Sequence, residues 1–127
     1  MDKKHILIIE DDKALASLLS ERLTTDGFEV ETTEDGEKGL QAAEKKPDLI
    51  MLNIMLPKVD GLTVMKTIRS KSDWGIHVPI IIISNLSPDD EKIINSVATF
   101  SPVFYLVKSE HSLNEIVEKT KSILISK

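Results

Sequence analysis

Polar residues that could do chemistry follow apolar runs at four places in the chain. In chain order they are Glu10 with Asp11, Asn53, Ser84 and Lys108. Carboxylates grouped without histidine or cysteine favour a hard cation such as Mg²⁺. A hydroxyl and an ammonium beside that cation would neutralise and hydrogen-bond a phosphoryl group. The residue types therefore predict a phosphoryl-transfer site.

Asn53 is the residue in this set whose type does not suit phosphoryl transfer. A carboxylate at this position would be a nucleophile for phosphoryl transfer. A side-chain amide cannot take that role, because its nitrogen lone pair is delocalised and its oxygen carries no full charge. We therefore expect the site to be non-phosphorylatable, whether Asn53 is natural or engineered.

The apolar runs predict five β-strands. Their expected ranges are 5–10, 28–32, 49–53, 80–84 and 103–107. The first, third and fourth runs show no alternation of apolar and polar residues, which predicts strands buried on both faces. Residues 28–32 do alternate, and Pro102 precedes the last run, so both of these strands are expected at the sheet edges.

Apolar residues at helical spacing lie between and after these strands and predict five helices. Their expected apolar positions are Ala14 to Leu23, Leu40 and Ala43, Leu62 to Ile68, Ile93 to Val97, and Ile116 to Leu124. Ser87 followed by Pro88 predicts the start of the fourth helix, and Ser112 with Glu115 predicts a capping box at the fifth. Trp74 is expected in a polar loop. The alternation predicts an α/β fold, a doubly wound parallel sheet in one domain over residues 1–127.

In such a sheet, ligands bind beyond the carboxyl ends of the strands, where the strand order reverses. This rule gathers residues that are distant in sequence into one crevice. The expected members are Glu10, Asp11, Asn53, Ser84 and Lys108.

Composition excludes several classes of protein. The net charge of -5 argues against direct nucleic-acid binding, because phosphate neutralisation needs a basic surface. The absence of cysteine excludes disulfides and thiolate metal sites. No apolar run is long enough to span a membrane and no signal peptide is visible, so a cytoplasmic protein is expected.

The ordered set of motifs resembles the receiver domain of two-component response regulators, over nearly the whole chain. Residues 6–12 resemble its first strand and acidic pair. Residues 48–57, followed by Asp60-Gly61, resemble the segment that carries its phosphoacceptor aspartate. The resemblance implies a CheY-like, flavodoxin-like sheet with strand order 2-1-3-4-5, and a phosphorelay signalling module rather than an enzyme.

The resemblance also implies roles for individual residues. Asn53 stands at the phosphoacceptor position and among the Mg²⁺ ligands. Asp11 would ligate Mg²⁺ directly, Glu10 through water, and Met55 through its backbone carbonyl. Mg²⁺ is the implied cofactor, and Asn53 should weaken its binding because it removes one charge.

Three further positions match the signalling machinery of the family. Lys108 matches the active-site lysine, and Ser84 and Tyr105 match the hydroxyl and aromatic residues of the switch. Without an acyl phosphate we expect an inactive-like state, with Ser84 away from Asn53 and Tyr105 outward. Ser109 stands where the family has a proline, so we expect a trans peptide bond before it.

Partners are implied in the same way. They are a sensor histidine kinase or a phosphotransfer protein, and an output protein bound through the face of the fourth helix, fifth strand and fifth helix. Val103 and Phe104 stand where DNA-binding relatives often have acids used in dimer salt bridges, so a monomer is expected. The alternatives are a natural pseudo-receiver that binds proteins without phosphorylation, and a flavodoxin-like protein or Mg²⁺-dependent phosphohydrolase. The acids after the first strand disfavour a flavin phosphate.

Overall fold

The computed structural model describes residues 3–125, in which five β-strands alternate with α-helices. The strands are β1 His5–Ile9, β2 Glu29–Thr33, β3 Leu49–Leu52, β4 Ile80–Ser84 and β5 Phe104–Val107. The helices are α1 Lys13–Thr25, α2 Gly36–Ala43, α3 Gly61–Lys71, α4 Asp73–His77, α5 Glu91–Phe100 and α6 Leu113–Ile125, with a 3₁₀ turn at Lys108–Glu110. No helix within residues 3–125 has the length and apolar character needed to cross a membrane.

The five strands form one parallel sheet in the order β2-β1-β3-β4-β5. β1 lies between β2 and β3. Its residue Ile9 pairs with Thr33 of β2 and with Leu52 of β3. The predicted α/β class and the strand order are confirmed. The order reverses between β1 and β3, which places the expected crevice at the ends of these two strands.

The core consists of two apolar layers, one on each face of the sheet. Leu7, Ile50 and Ile80 face α2, α3 and α5, whereas Ile8, Met51 and Ile81 face α1 and α6. Neighbouring residues of a strand point to opposite faces, so a sheet covered on both sides needs apolar residues at every position. This arrangement explains why the sequence of these strands shows no alternation.

The short helix α4 was not predicted, and the placement of Trp74 in a loop was wrong. Ser72 caps α4 by accepting from the backbone N–H of Gly75 (3.2 Å). Trp74 lies inside the helix and donates its indole N–H to the Pro47 carbonyl (3.0 Å). Five residues are too few for helical periodicity to be recognisable. The predicted fourth and fifth helices are therefore α5 and α6.

The predicted start of α5 was also wrong. Asp90, rather than Ser87, is the N-cap, and its carboxylate accepts from the Lys92 N–H (2.9 Å). The Ser87 hydroxyl instead accepts from the Asp89 N–H within the preceding turn. Both residue types can cap a helix or form a local turn, so spacing alone did not separate them.

Arg69 holds α3, α4 and the end of α5 together. Its guanidinium donates to four backbone carbonyls, those of Gly75, Val78, Phe100 and Ser101, at 2.6–3.3 Å. Two of these carbonyls belong to the carboxyl end of α5, where a positive charge is favourable. Arg69 therefore fixes the position of α5 relative to the sheet.

Candidate functional site

Backbone hydrogen bonds carry Glu10 and Asn53 to the carboxyl edge of the sheet. The Glu10 N–H donates to the Thr33 carbonyl and the Asn53 N–H donates to the Ile9 carbonyl, both at 3.0 Å. Each bond continues the parallel ladder one residue beyond the end of a strand. The two side chains are therefore placed by the sheet itself.

The loop after Asn53 is fixed by Asp60 and Gly61. Asp60 caps α3 by accepting from the Thr63 N–H (3.0 Å), and the Gly61 N–H donates to the Ile54 carbonyl (2.7 Å). A Cβ atom at Gly61 would lie 2.0 Å from the Asn53 carbonyl oxygen. The Asp60-Gly61 motif thus lets α3 begin against the backbone of Asn53.

The Asn53 carboxamide lies against three oxygen atoms. Its nitrogen lies 2.9 Å from Asp11 Oδ1 and 3.2 Å from both Glu10 Oε2 and the Met55 carbonyl, and its two N–H groups are shared among these three acceptors. The opposite orientation would place the amide oxygen against these three acceptors, none of which can donate when the carboxylates are ionised. The chemistry of the surroundings therefore requires the nitrogen to face the acids.

Lys108 forms an ion pair with Glu10. Its ammonium lies 2.9 Å from Glu10 Oε1, and the two side chains are 16% and 3% exposed. Glu10 Oε2 also accepts from the Asp12 N–H (3.0 Å). Burial raises the pKa of Glu10, and the contacts with Lys108 and the Asp12 N–H oppose that rise. Both oxygens of Glu10 are thus hydrogen-bonded inside the protein.

The side chains of Ser84 and Tyr105 both form hydrogen bonds with the backbone of Leu86. The Ser84 hydroxyl accepts from the Leu86 N–H (3.0 Å), and the Tyr105 hydroxyl donates to the Leu86 carbonyl (2.8 Å). The Tyr105 ring is half-buried and packs against the core layer that lies between the sheet and α3. The expectation that Tyr105 lies outward was therefore wrong, because this hydrogen bond and the apolar packing hold it in.

The environment of Tyr105 changes the ionisation of its hydroxyl. Burial raises the pKa of Tyr105 above its usual 10.0, and the nearby Ser84 hydroxyl opposes the rise. The two switch candidates are thus connected to each other through the backbone of Leu86. The peptide bond before Ser109 is trans, as expected, and Ser109 lies in the 3₁₀ turn after β5.

The oxygens around Asn53 match the ligand type that Mg²⁺ prefers, but their present arrangement does not fit a cation. Glu10, Asp11 and the Met55 carbonyl converge on the point that the Asn53 nitrogen occupies. An N–H group there repels a cation. Within residues 3–125 there is no group of three or more His, Cys, Asp or Glu side chains that could hold a metal ion.

Sequence reasoning placed the five crevice residues near one another but missed Leu86. Its role depends on its backbone N–H and C=O, which any residue would supply. Only the positions of Ser84 and Tyr105 relative to that peptide reveal the contact. No sequence signal could have found it.

The fold and site together define a class of protein. A parallel 2-1-3-4-5 sheet carries acids after β1, a polar side chain after β3, a hydroxyl at the end of β4 and a lysine after β5. This is the arrangement of a receiver domain. The chain belongs to the response regulator receiver domain family, whose model matches residues 6–121.

Curated relatives agree with this family. The chain is 38% identical over 92 residues to the alkaline phosphatase synthesis transcriptional regulatory protein PhoP of Bacillus subtilis, a match that covers 72% of this chain and 37% of that protein. It is 42% identical over 90 residues to the DNA-binding dual master transcriptional regulator RpaA of Synechocystis, covering 70% of this chain and 37% of that protein. The matched segment is thus little more than a third of either relative.

Solved structures match almost the whole chain. A putative response regulator from Chloroflexus aurantiacus superimposes with a TM-score of 0.81 at 28% identity, covering 98% of this chain and 99% of that one. The Mn²⁺-bound form of response regulator Rcp1 superimposes with a TM-score of 0.82 at 26% identity, covering 98% and 96%.

Proposed function

We propose that this chain is a response regulator receiver domain of a two-component system that accepts no phosphoryl group at Asn53. The observation that supports the proposal is the Asn53 carboxamide, which follows β3 with its nitrogen bonded to the two acids. An aspartate there would present a carboxylate nucleophile, whereas the amide presents none.

The other side chains of the site support the same proposal. Lys108 is engaged by Glu10 at 2.9 Å, and the Ser84 hydroxyl is engaged by the Leu86 N–H. The groups expected to stabilise a phosphoryl group are therefore satisfied by contacts within the protein. The proposed roles are the acceptor position for Asn53, phosphoryl contacts for Ser84 and Lys108, and a switch formed by Ser84 and Tyr105.

Mg²⁺ binding is proposed to be weaker than in a receiver domain with aspartate at this position. The candidate ligands are Glu10, Asp11, the Met55 carbonyl and the side-chain oxygen of Asn53. When bound, a divalent cation would neutralise charge at the acceptor. The amide contributes no charge to hold it, and site charge is a main determinant of affinity for such cations.

The surface formed by α5, β5 and α6 is the proposed site for an output partner. Ile94 of α5 and Val103 before β5 are apolar but about half exposed, at 51% and 47%. Exposed apolar side chains of this kind support the proposal that the surface binds another protein. A sensor histidine kinase or a phosphotransfer protein is the proposed upstream partner, and the chain itself is proposed to be a monomer.

A natural pseudo-receiver is the second candidate function. The hydrogen bond from Tyr105 to Leu86 favours it, because it holds the switch aromatic in place without a phosphoryl group. Under this proposal the α5–β5–α6 surface binds its partner in a single, phosphate-independent form. Binding should then be equally strong for the chain and its Asn53→Asp variant before phosphorylation.

Intact-mass measurement after incubation with acetyl phosphate and Mg²⁺ tests the first proposal. The chain should keep its mass, and the Asn53→Asp variant should gain one phosphoryl group. Asn53→Asp combined with Lys108→Ala is the matched control, because it keeps the nucleophile and removes the ammonium; its phosphorylation should be slower. A phosphoryl adduct on the unchanged chain, or none on Asn53→Asp, would refute the proposal.

A further inference from the structure

We propose that the Asn53 side-chain nitrogen is a built-in substitute for the divalent cation, so that the acidic site is complete without metal and excludes it. The inference rests on the proposed assignment of Asn53 to the acceptor position. It differs from a loss of charge alone, because it assigns an active blocking role to the amide. The chain would then need a higher concentration of Mg²⁺ to bind the ion than the same site without the amide.

The first support is geometric. Three oxygens from different parts of the chain, those of Glu10, Asp11 and Met55, converge on the Asn53 nitrogen at 2.9–3.2 Å. Mg²⁺ would need its direct ligands among them, the oxygens of Asp11 and Met55, at about 2.0–2.1 Å. A cation and the amide nitrogen therefore cannot occupy the point of convergence together, and the amide has to leave before a cation can enter.

The second support is the strength of the contacts that would be lost. Hydrogen bonds to ionised carboxylates are stronger than those between neutral groups. Asn53 and Glu10 are only 6% and 4% exposed, so the amide would lose these bonds without gaining full solvation. Displacing the amide is therefore costly, and that cost lowers the apparent affinity for the cation.

The third support is that the negative charges of Glu10 and Asp11 already have hydrogen-bond or ion-pair partners within the protein. Glu10 accepts from Asn53, from the Asp12 N–H and from Lys108, which together satisfy both of its oxygens. Asp11 is exposed to solvent and accepts from Asn53. Neither carboxylate is left as a buried, unpaired charge, and such a charge is what would otherwise draw in a cation.

Mg²⁺ titration of Asn53→Ala by calorimetry, without any phosphoryl donor, distinguishes blocking by the amide from a simple lack of charge at position 53. This variant removes the amide without adding charge. If the amide blocks the site, Asn53→Ala should bind Mg²⁺ about tenfold more tightly than the unchanged chain, because the hydrogen bonds to charged acceptors no longer compete. If Asn53 merely lacks charge, the variant should bind no more tightly, since it also loses the amide oxygen as a ligand.

Thermal melting with and without Mg²⁺ gives the second measurement. At a Mg²⁺ concentration that half-saturates Asn53→Ala, the unchanged chain should show little or no shift, whereas Asn53→Ala should melt lower without Mg²⁺ and recover with it. If Asn53→Ala does not fold, the same melts with and without Mg²⁺ can be measured on Asn53→Ser, whose side chain is too short to reach all three oxygens. Asn53→Ala with Asp11→Asn is the control, and it should lose the gained affinity.

A dissociation constant for Asn53→Ala equal to or weaker than that of the unchanged chain would overturn the inference. So would a clear rise in the melting temperature of the unchanged chain at the Mg²⁺ concentration that half-saturates Asn53→Ala. Neither result depends on phosphorylation. Failure of this inference therefore leaves the mass measurement on Asn53→Asp as a separate test of the proposed function.

Discussion

The side-chain nitrogen of Asn53 lies 2.9 Å from Oδ1 of Asp11, and this hydrogen bond joins the proposed acceptor position to the acid that is proposed to ligate the cation directly. In a site with aspartate at position 53 the same two groups would be like charges and would repel each other. The amide converts that repulsion into attraction. The acidic edge of the sheet is thereby held together by the protein's own groups.

The buried ion pair between Glu10 and Lys108 should be important for stability. Lys108→Met removes the cation and leaves Glu10, whose side chain is 3% exposed, without its charged partner. Breaking such a pair costs about 3–5 kcal/mol of unfolding free energy. Lys38→Met is the control, because the Lys38–Glu34 pair is 3.4 Å apart and more than half exposed. It should cost less than about 1 kcal/mol.

Chemical denaturation of both variants measures these costs. Adding Glu10→Gln to Lys108→Met should recover much of the lost free energy, because the remaining side chain is then neutral. Equal free energies of unfolding for Lys108→Met and Lys38→Met would show that the Glu10 pair is not a stabilising contact.

The ionisation of Tyr105 should report on Ser84. Tyr105 is the single tyrosine of the chain, so phenolate absorbance follows it alone. Burial places its pKa above 10.0 and the Ser84 hydroxyl opposes that effect, so Ser84→Ala should raise the pKa further. Ser87→Ala, in the same loop, should leave it unchanged. A pKa of Tyr105 that falls in Ser84→Ala would contradict this effect of the Ser84 hydroxyl.

Gly61 should tolerate no side chain. Gly61→Ala would place a Cβ atom 2.0 Å from the Asn53 carbonyl oxygen, and the backbone of Asn53 would have to move. Overpacking of this kind costs about 1–3 kcal/mol or more. Gly39→Ala is the comparison, because its Cβ would meet side-chain atoms of Ile9, which can adjust, at 2.7 Å. Thermal melts in which Gly39→Ala is the more damaging change would contradict this explanation of the Asp60-Gly61 motif.

The capping box of α6 should make stability depend on pH. The Ser112 N–H donates to Glu115 (2.8 Å), and its hydroxyl accepts from the Glu115 N–H; these contacts hold the pKa of Glu115 below its usual 4.5. A lowered folded-state pKa contributes stability above pH 4.5 that is lost as the pH falls through the folded value.

The melting temperature of Glu115→Gln should therefore differ most from that of the unchanged chain at neutral pH. The difference should shrink as the pH falls below 4.5. Ser122→Ala, further along α6, should show no such pH dependence. A constant difference for Glu115→Gln would indicate that the cap does not depend on the charge of Glu115.

Most of the sheet could be predicted from the sequence. Apolar runs without alternation predicted β1, β3 and β4, and the structure confirms that both faces of the sheet are covered. Glu10 and Asn53 were expected at strand ends, and they lie one residue beyond β1 and β3. These predictions succeeded because each depends on the local pattern and on a general rule for parallel sheets.

The missed features depend on contacts between distant segments. α4 is five residues long and is supported by the bond from Trp74 to Pro47, which is 27 positions away. The inward position of Tyr105 depends on the carbonyl of Leu86. The direction of the Asn53 amide depends on acids 42 and 43 positions earlier. Periodicity and capping signals carry no information about such pairs.

The side-chain amide of Asn53 is itself the most direct reporter of the central claim. Nitrogen-15 NMR of the chain, with the Asn53 signals assigned by their absence in Asn53→Ala, can follow its two protons during a titration with Mn²⁺. We predict two separate proton signals, protected from exchange with solvent and retained as Mn²⁺ is added. Rapidly exchanging signals, or signals broadened away by low concentrations of Mn²⁺, would contradict the claim that this amide stands in the place of the cation.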